Sequence, residues 1–312
     1  MAAVFHRLDR HCSCRFRRAG LDMLIGFAGL GRMGKPMATH LAAAGHTVLA
    51  YDPVAQQLPA SVRSVDTADA LAATEISISM LPDGAATRAL VTEALSDVAP
   101  GHLHVVMGTV GPAVVRELAA LSWIEVVDAP VSGSVSMAEA ATITTMVGAT
   151  TAQFDRVQPV LAAMTAKQFH AGAAGAGSTA KLAVNAVLAG LSQAVAEGVL
   201  LAEAGGLDPA VFYGILTNSA AGAPYVGYKQ QAYLAPESTP VAAPVSLIRK
   251  DLGLALDLAR RHQLFLPGAE AAYGVLDEAV TGGLAEADMA EVLTALRRSN
   301  APAFSEIISP AM

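Results

Sequence analysis

The sequence predicts an α/β fold: a doubly wound parallel sheet in the N-terminal half, helices alone in the C-terminal half, and one long helix joining the two. Three observations carry this. Short apolar runs alternate with helical stretches between residues 24 and 147, the pattern of a parallel sheet covered on both faces. From Ser178 to the Gly205-Gly206 pair there is no proline and few poor helix formers, so one helix of about 27 residues, about 40 Å long, is expected with Ser178 as its N-cap. Beyond that helix only helical periodicity remains.

The first 22 residues carry Arg7, Arg10, Arg15, Arg17 and Arg18 but no apolar run of a secretory signal. They are expected to be a disordered extension ahead of a start at Met23, an organelle import peptide being the alternative reading. Residues 24–28 form a short buried strand, and Gly29-Leu30-Gly31-Arg32-Met33-Gly34 follows at once. A helical stretch over 35–44, a second strand over 47–51 and Asp52 complete the unit. The glycines have separate tasks: a tight turn, close approach of backbone to a pyrophosphate, and close packing of helix on strand, with the helix N-terminus facing the phosphates. Asp52 lies 23 residues beyond Gly29, the place of an acid that accepts from ribose hydroxyls. This order of elements is that of a Rossmann-type nucleotide-binding unit. The acid predicts NAD, with NADP as the secondary cofactor, because it would repel a 2′-phosphate and Pro53-Val54-Ala55 offers no compensating cation.

Further strands are expected over 75–80, 103–106, 124–127 and 142–147, and helices over 84–95 and 112–121. The loops Leu81-Pro82-Asp83 and Gly108-Thr109 fall at carboxyl ends of strands, which makes Leu81, Pro82 and Thr109 candidate cofactor contacts. Helices are expected over 209–216, 245–262, 268–281 and 288–297, with the Ala/Pro-rich stretch 235–244 as a loop. The expected division is a nucleotide-binding domain over 23–177, an all-α substrate and dimerisation domain over 178–300, and a tail over 301–312.

Composition removes several function classes. The 312 residues are 53% hydrophobic and 15% charged, with a formal net charge of −7 and no Lys/Arg run beyond residue 22 longer than two, which argues against nucleic acid as a partner. A mean hydropathy of +0.45 raises the question of a membrane. The most apolar run, 182–196, is broken by Asn185, Ser192 and Gln193 and falls short of a span, so no membrane is expected. Cys12 and Cys14 are the only cysteines, which fits a reducing, cytoplasmic setting. His40, His46 and His262 lack the spacing of a metal site, so metal-free chemistry is expected. His170 is read as the end of a strand, and Glu197 and Glu203 as surface or interface charges.

The chemistry centres on the start of the long helix. Lys181 and Asn185, four residues apart, share a helix face one turn beyond the glycine run over 172–177, which sets an ammonium and an amide beside backbone that can be approached closely. A buried helix with one snorkelling lysine is the plain alternative. Hydride transfer between an alcohol carbon and nicotinamide needs a proton moved at the oxygen, which a positioned lysine can do. With an ordinary pKa of about 10.4, the lysine needs desolvation or a second cation such as Lys250 to act as a base. Lys250 can equally be a structural partner of Asp251. Ser132, after Pro130, offers a hydroxyl and neighbouring N–H groups to a carboxylate, or is simply a turn serine. A long apolar helix that one small domain cannot cover also suggests a homodimer or homotetramer through the helical half.

Four motifs in order resemble the β-hydroxyacid dehydrogenases, the group of 3-hydroxyisobutyrate dehydrogenase, tartronate semialdehyde reductase and, more distantly, 6-phosphogluconate dehydrogenase. They are Gly29-Leu-Gly-Arg-Met-Gly-Lys-Pro-Met37, Asp128-Ala-Pro-Val-Ser-Gly133, Gly175-Ala-Gly-Ser-Thr-Ala-Lys-Leu-Ala-Val-Asn185 and Lys250-Asp-Leu-Gly-Leu-Ala255. The resemblance covers about residues 23–298 and implies oxidation of a small carboxylate-bearing β-hydroxyacid by NAD. It implies dinucleotide binding by Gly29 through Gly34, carboxylate binding by Ser132 and Gly133, acid/base chemistry by Lys181, substrate support by Asn185 and a place beside the nicotinamide for Lys250. Ser134, Met137 and Ala141 stand where the family has glycines, Val106-Met-Gly-Thr109 keeps only the threonine of the family's Asp-Ser-Ser-Thr, and Ala242-Ala243 replaces an aromatic residue. Ser134 is therefore counted with Ser132 and Gly133 on a reshaped substrate floor. Competing readings are an NADPH-dependent semialdehyde or imine reductase of the same fold, the latter disfavoured by Lys181, and a non-catalytic dinucleotide-binding scaffold.

Overall fold

A computed structural model describes residues 22–54 and 58–307, with side chains to residue 300. The extension expected up to residue 21 and the end of the tail, 308–312, lie outside the described residues.

The sheet grows from apolar runs that become its buried strands. Six parallel strands, β1 (Leu24–Ala28), β2 (Thr47–Tyr51), β3 (Arg63–Ser64), β4 (Ile76–Ser79), β5 (Leu103–Val106) and β6 (Glu125–Asp128), stand in the order β3-β2-β1-β4-β5-β6. The order reverses between β1 and β4, where a doubly wound sheet opens a crevice at its carboxyl edge. The parallel expectation is modified at the far edge. There β8 (Thr144–Gly148) runs antiparallel to both β6 and β7 (Val131–Ser132), and β9 (Lys167–Gly172) runs parallel to β8.

Helices α1 (Gly34–Ala43), α2 (Gly84–Ala89), α3 (Pro112–Ala119), α4 (Val135–Glu139) and α5 (Thr151–Ala162) accompany the sheet. Ile25 and Phe27 pack with Met37 and Leu41 of α1 and Val157 and Leu161 of α5. A separate cluster joins Leu71, Leu90 and Leu95 with Val115 and Leu118 of α3. Successive residues of β6, Val126 and Val127, fall into different clusters, as the two-residue period of a strand buried on both faces requires.

The long helix α6 (Ala176–Ala204) has 29 residues and begins ahead of the expected N-cap. Gly175, at φ 88° and ψ −9°, is the cap, and Ser178 lies inside the first turn. The reason is remote in sequence: Asp128 at the end of β6 supplies the acceptors that a capping serine would have supplied. The α7 (Pro209–Thr217), α8 (Pro224–Leu234), α9 (Val245–Arg261), α10 (Pro267–Ala279) and α11 (Val292–Ile307) helices complete an all-helical half. Its core includes Leu182, Val195 and Val199 of α6 with Tyr213, Ile248, Leu252, Leu276 and Leu293. α11 continues past the expected end at residue 297. Among the described residues α6 alone has the length and apolarity of a membrane-crossing helix, yet it packs on β8 and β9 as well as on α9, α10 and α11, the position of a central core helix.

Candidate active site

The carboxyl edge of β1 shows what each glycine is for. Gly29 sits at φ 93°, and a Cβ there would lie 2.4 Å from the Met80 carbonyl oxygen, so neither the conformation nor the space tolerates a side chain. A Cβ on Gly34 would lie 1.9 Å from the Gly29 carbonyl oxygen, which seats α1 on the turn. Gly31 meets nothing within 4 Å and is exposed, leaving room for close approach of a ligand. Met33 heads α1 without a side-chain cap, and no acid occupies the first turn, so the helix end offers its N–H groups and dipole to an anion. The Leu30 N–H donates to Asp52 Oδ2 at 2.6 Å and the Val54 N–H to Asp52 Oδ1 at 2.8 Å, so this carboxylate also fixes the loop it faces. These features fit a dinucleotide, with its pyrophosphate over the turn and its ribose at Asp52.

Arg32 points elsewhere. Its guanidinium donates to the Val241 carbonyl in the loop between α8 and α9, tying the glycine turn to the helical half. That loop is held in turn by Asp288, whose Oδ2 accepts from the Ala242 N–H at 2.8 Å and whose carboxylate pairs with buried Lys229 at 2.6 Å.

A second bridge between the halves runs through Lys250 on α9. Its ammonium donates to the Pro82 carbonyl at 2.8 Å and the Thr109 carbonyl at 3.0 Å, the two loops that follow β4 and β5, and lies 3.1 Å from Asp251 Oδ1. The two sequence readings of Lys250 therefore coexist: it partners Asp251 and reaches the nucleotide-side loops. Leu81 lines the same place, since a Cβ on Gly108 would lie 2.3 Å from its carbonyl oxygen.

Asp251 is the hub. Its Oδ2 accepts from Asn185 Nδ2 at 2.7 Å, which fixes the amide with its carbonyl oxygen as the free pole. Its Oδ1 has Lys250 as an ion-pair partner but no aligned hydrogen bond. Burial pushes the Asp251 carboxyl above its ordinary range, while Lys250, Lys181 and Asn185 pull it down. Lys181 is half-buried and, among the described residues, hydrogen-bonded to none. Burial lowers its pKa from the ordinary lysine value, opposed by Asp251 and reinforced by Lys250. The structure thus brings Lys181, Asn185, Lys250 and the loops of Pro82 and Thr109 to one place.

Ser132 and Gly133 join this place through the sheet rather than by direct hydrogen bonds. Ser132 in β7 is paired with Thr144 of β8, and the first turn of α6 lies on the same strand, because a Cβ on Gly177 would lie 2.2 Å from the Met146 carbonyl oxygen. A Cβ on Gly175 would lie 3.0 Å from Arg116 Nε and 3.2 Å from the Pro112 carbonyl oxygen of α3. The protein's own sheet and α3 therefore make a close approach to this glycine run. Gly133, at φ 148°, has Ile143 against its Cβ position at 2.7 Å. Ser134 caps α4, accepting from the Met137 N–H at 3.3 Å, and bonds Ser136 at 2.8 Å. His170 lies in β9 with Nε2 bonded to the Ala149 carbonyl, as a strand residue. No group of three or more His, Cys, Asp or Glu able to hold a metal occurs among the described residues.

Residues 24–172 match the NAD binding domain of 6-phosphogluconate dehydrogenase, and residues 175–296 match the NAD-binding domain of NADP-dependent 3-hydroxyisobutyrate dehydrogenase. The chain is 37% identical to 3-hydroxyisobutyrate dehydrogenase of Pseudomonas aeruginosa over 263 residues, 78% of this chain and 87% of the relative. It is 32% identical to 2-(hydroxymethyl)glutarate dehydrogenase of Eubacterium barkeri over 280 residues, 86% of this chain and 93% of the relative. A solved structure of Mycobacterium tuberculosis 3-hydroxyisobutyrate dehydrogenase with L-serine superposes with a TM-score of 0.79 at 32% identity, covering 88% of this chain and 99% of that one. With a nucleotide-binding sheet, a helical half and both family matches in sequence order, the chain belongs to the β-hydroxyacid dehydrogenase family of NAD(P)-dependent oxidoreductases.

Proposed function

We propose that this protein oxidises a short β-hydroxyacid with NAD, Lys181 acting as the acid/base. The observation that carries the reading is the half-buried Lys181 ammonium, without a hydrogen bond among the described residues, beside Asn185, Asp251 and Lys250 where the two halves meet. The bound nicotinamide supplies the hydride acceptor for oxidation and the hydride donor for reduction. The residues do the rest. Ser132 and the backbone at Gly133 take the substrate carboxylate, and the carbonyl oxygen of Asn185 accepts from the substrate hydroxyl. Neutral Lys181 removes the hydroxyl proton as the alcohol is oxidised, and its ammonium returns that proton in the reverse reaction. Lys250, already bonded to the Pro82 and Thr109 carbonyls, keeps the cofactor loops against the helical half.

Asp52 supports NAD over NADP, since its carboxylate at the β2 end would lie against a 2′-phosphate. Relatives that act on 3-hydroxyisobutyrate and 2-(hydroxymethyl)glutarate, and one solved with L-serine, make a β-hydroxyl and a nearby carboxylate the shared demand. Ser134 and Met137 narrow the floor while Ala242 and Ala243 open the opposite wall, which favours a modest side chain over the smallest members. The helical half also offers a self-association surface: Val187 and Leu201 of α6 and Ile215 of α7 are exposed apolar residues. The cytoplasmic reading rests on the cysteine usage of the sequence.

One experiment tests the substrate and cofactor together. Short β-hydroxyacids and their methyl esters are assayed with NAD and NADP. The acid is expected to exceed its ester in kcat/KM by roughly 5- to 150-fold, the value of ~1 to 3 kcal/mol for buried donors left unpaired. Equal values would remove the carboxylate assignment and favour an aldehyde or imine reductase. A higher kcat/KM with NADP would overturn the reading of Asp52.

A further inference from the structure

We propose that Asp128 is a positioning residue whose carboxylate, reaching from the end of β6 to the first turn of α6, sets Lys181 against the segment that carries Ser132. The proposal rests on the reading of Lys181 as acid/base. Asp128 is fully buried, and its two oxygens take different donors: Oδ1 accepts from the Gly175 N–H at 2.8 Å and Oδ2 from the Ser178 N–H at 2.5 Å. These are the N–H groups of the N-cap and of the third helical residue of α6, the two donors that a capping box satisfies locally. Here the acceptor sits on the sheet, 47 and 50 residues back in the chain.

The surroundings are shaped for this contact. A Cβ on Gly148, opposite Asp128 in the β6–β8 pair, would lie 2.0 Å from Oδ1, so glycine there makes the space the carboxylate occupies. Gly177 allows α6 to rest on the Met146 carbonyl. The same chain segment continues from Asp128 through Ala129 and Pro130 to Ser132, while α6 continues from Ser178 to Lys181 within one turn. One carboxylate therefore fixes the origin of both arms of the site. Burial pushes its pKa up and the two backbone donors hold it down. Both oxygens accept N–H bonds, the arrangement of an ionised group at the positive end of a helix.

A plain cap would stabilise the fold and leave catalysis alone, so the test compares Asp128→Asn with Thr150→Ala. Thr150 caps α5, accepting from the Gln153 N–H at 3.3 Å, and belongs to no part of the site. Measured for each variant are kcat, the NADH dissociation constant by fluorescence, the melting temperature, and the pH dependence of kcat/KM for alcohol oxidation. Asp128→Asn is expected to lower kcat about 10- to 100-fold, because a shift of the order of 1 Å in a reacting group has that effect, with NADH affinity within about twofold of the parent. The pKa of Lys181 is governed by its burial, by Asp251 and by Lys250, none of which Asp128→Asn removes, so a positioning role lowers kcat while the rising limb stays in place.

Asp128→Glu keeps the charge and displaces it by one methylene, so kcat falls while the limb stays in place. Thr150→Ala lowers the melting temperature alone. In a Lys181→Ala background Asp128→Asn is expected to cost nothing further, the mark of two residues acting through one group. Unchanged kcat in Asp128→Asn, a parallel loss of NADH affinity, or failure of both Asp128 variants to fold overturns the positioning role. Normal turnover by Lys181→Ala overturns the acid/base reading instead, and the two failures are distinct.

Discussion

Acid sensitivity is encoded in the middle of the sheet. Ser77 and Ser79 of β4 and His104 of β5 form a buried chain with His102. The Thr74 carbonyl can only accept, so His102 Nδ1 donates to it at 2.7 Å and His102 Nε2 accepts from the Ser77 hydroxyl at 2.7 Å. Ser77 Oγ then accepts from His104 Nδ1 at 2.8 Å, and His104 Nε2 accepts from the Ser79 hydroxyl at 3.0 Å. The chain has one direction throughout and requires both rings neutral. Burial holds the His104 pKa down at about 3, and His102 is lowered by burial and by Arg156 against the pull of the Thr74 carbonyl. A histidine depressed in the folded state contributes stability above its unfolded pKa of about 6.5 and loses it as pH falls toward the folded value. Between pH 7 and pH 5 the unfolded ring passes from about one-quarter to almost fully protonated while the folded ring stays neutral, a loss of about 2 kcal/mol for His104. His102 adds in the same direction. Asp128 and Asp251, raised by burial, act oppositely, so the test is a difference between proteins. Urea unfolding of the parent and of His104→Leu/Ser79→Ala, which removes the ring and the hydroxyl it would orphan, is compared at both pH values. The variant is expected to lose about 2 kcal/mol less over that interval. An identical loss in both proteins would refute the argument.

Lys181→Ala is expected to lower kcat by about 10²- to 10⁴-fold, the range of a lost general acid or base, with NADH affinity unchanged because the glycine turn and Asp52 lie on the sheet. Single-turnover kinetics with NADH titration separates this from a cofactor defect, which would show as weakened NADH binding. If the exposed apolar face of α6 is the subunit contact, Leu201→Glu shifts the sedimentation of the protein from dimer to monomer. A parent that sediments as a monomer at micromolar concentration removes that interface.

The strands were legible where burial on both faces demands an unbroken apolar run, as in β1, β2 and β5, whose limits agree with the sequence expectation. β3 and β7 are two residues long and carry no run to detect, so only pairing with β2 and β8 makes them strands. α8 escapes a sequence reading because its buried stripe, Tyr225, Val226, Lys229, Ala232 and Tyr233, carries in its middle a lysine whose partner Asp288 lies 59 residues away, which erases the amphipathic contrast. The start of α6 was misplaced for a different reason. Local rules assign the cap to a nearby serine, whereas the chain places the acceptor on another element, and no local pattern records that choice.

The site divides in the same way. Lys181 and Asn185 were legible because helical spacing puts them on one face, and Lys250 and Asp251 because they are adjacent. What joins them was not: the Asn185–Asp251 hydrogen bond spans 66 residues, and the reach of Lys250 to Pro82 and Thr109 spans 168 and 141. Sequence spacing reports contacts made within one element, while this cleft lies between two halves whose faces meet only after folding. The charged residues that span it, Arg32 to Val241 and Lys250 to the β4 and β5 loops, bond to backbone carbonyls rather than to acids, so no complementary charge in the sequence announces them. A carbonyl offers the same acceptor whatever side chain it carries. The bridge between the β4 and β5 loops and the helical half is therefore insensitive to the identity of the loop residues it grips and depends on the position of Lys250, which Asp251 holds from the adjoining place on α9.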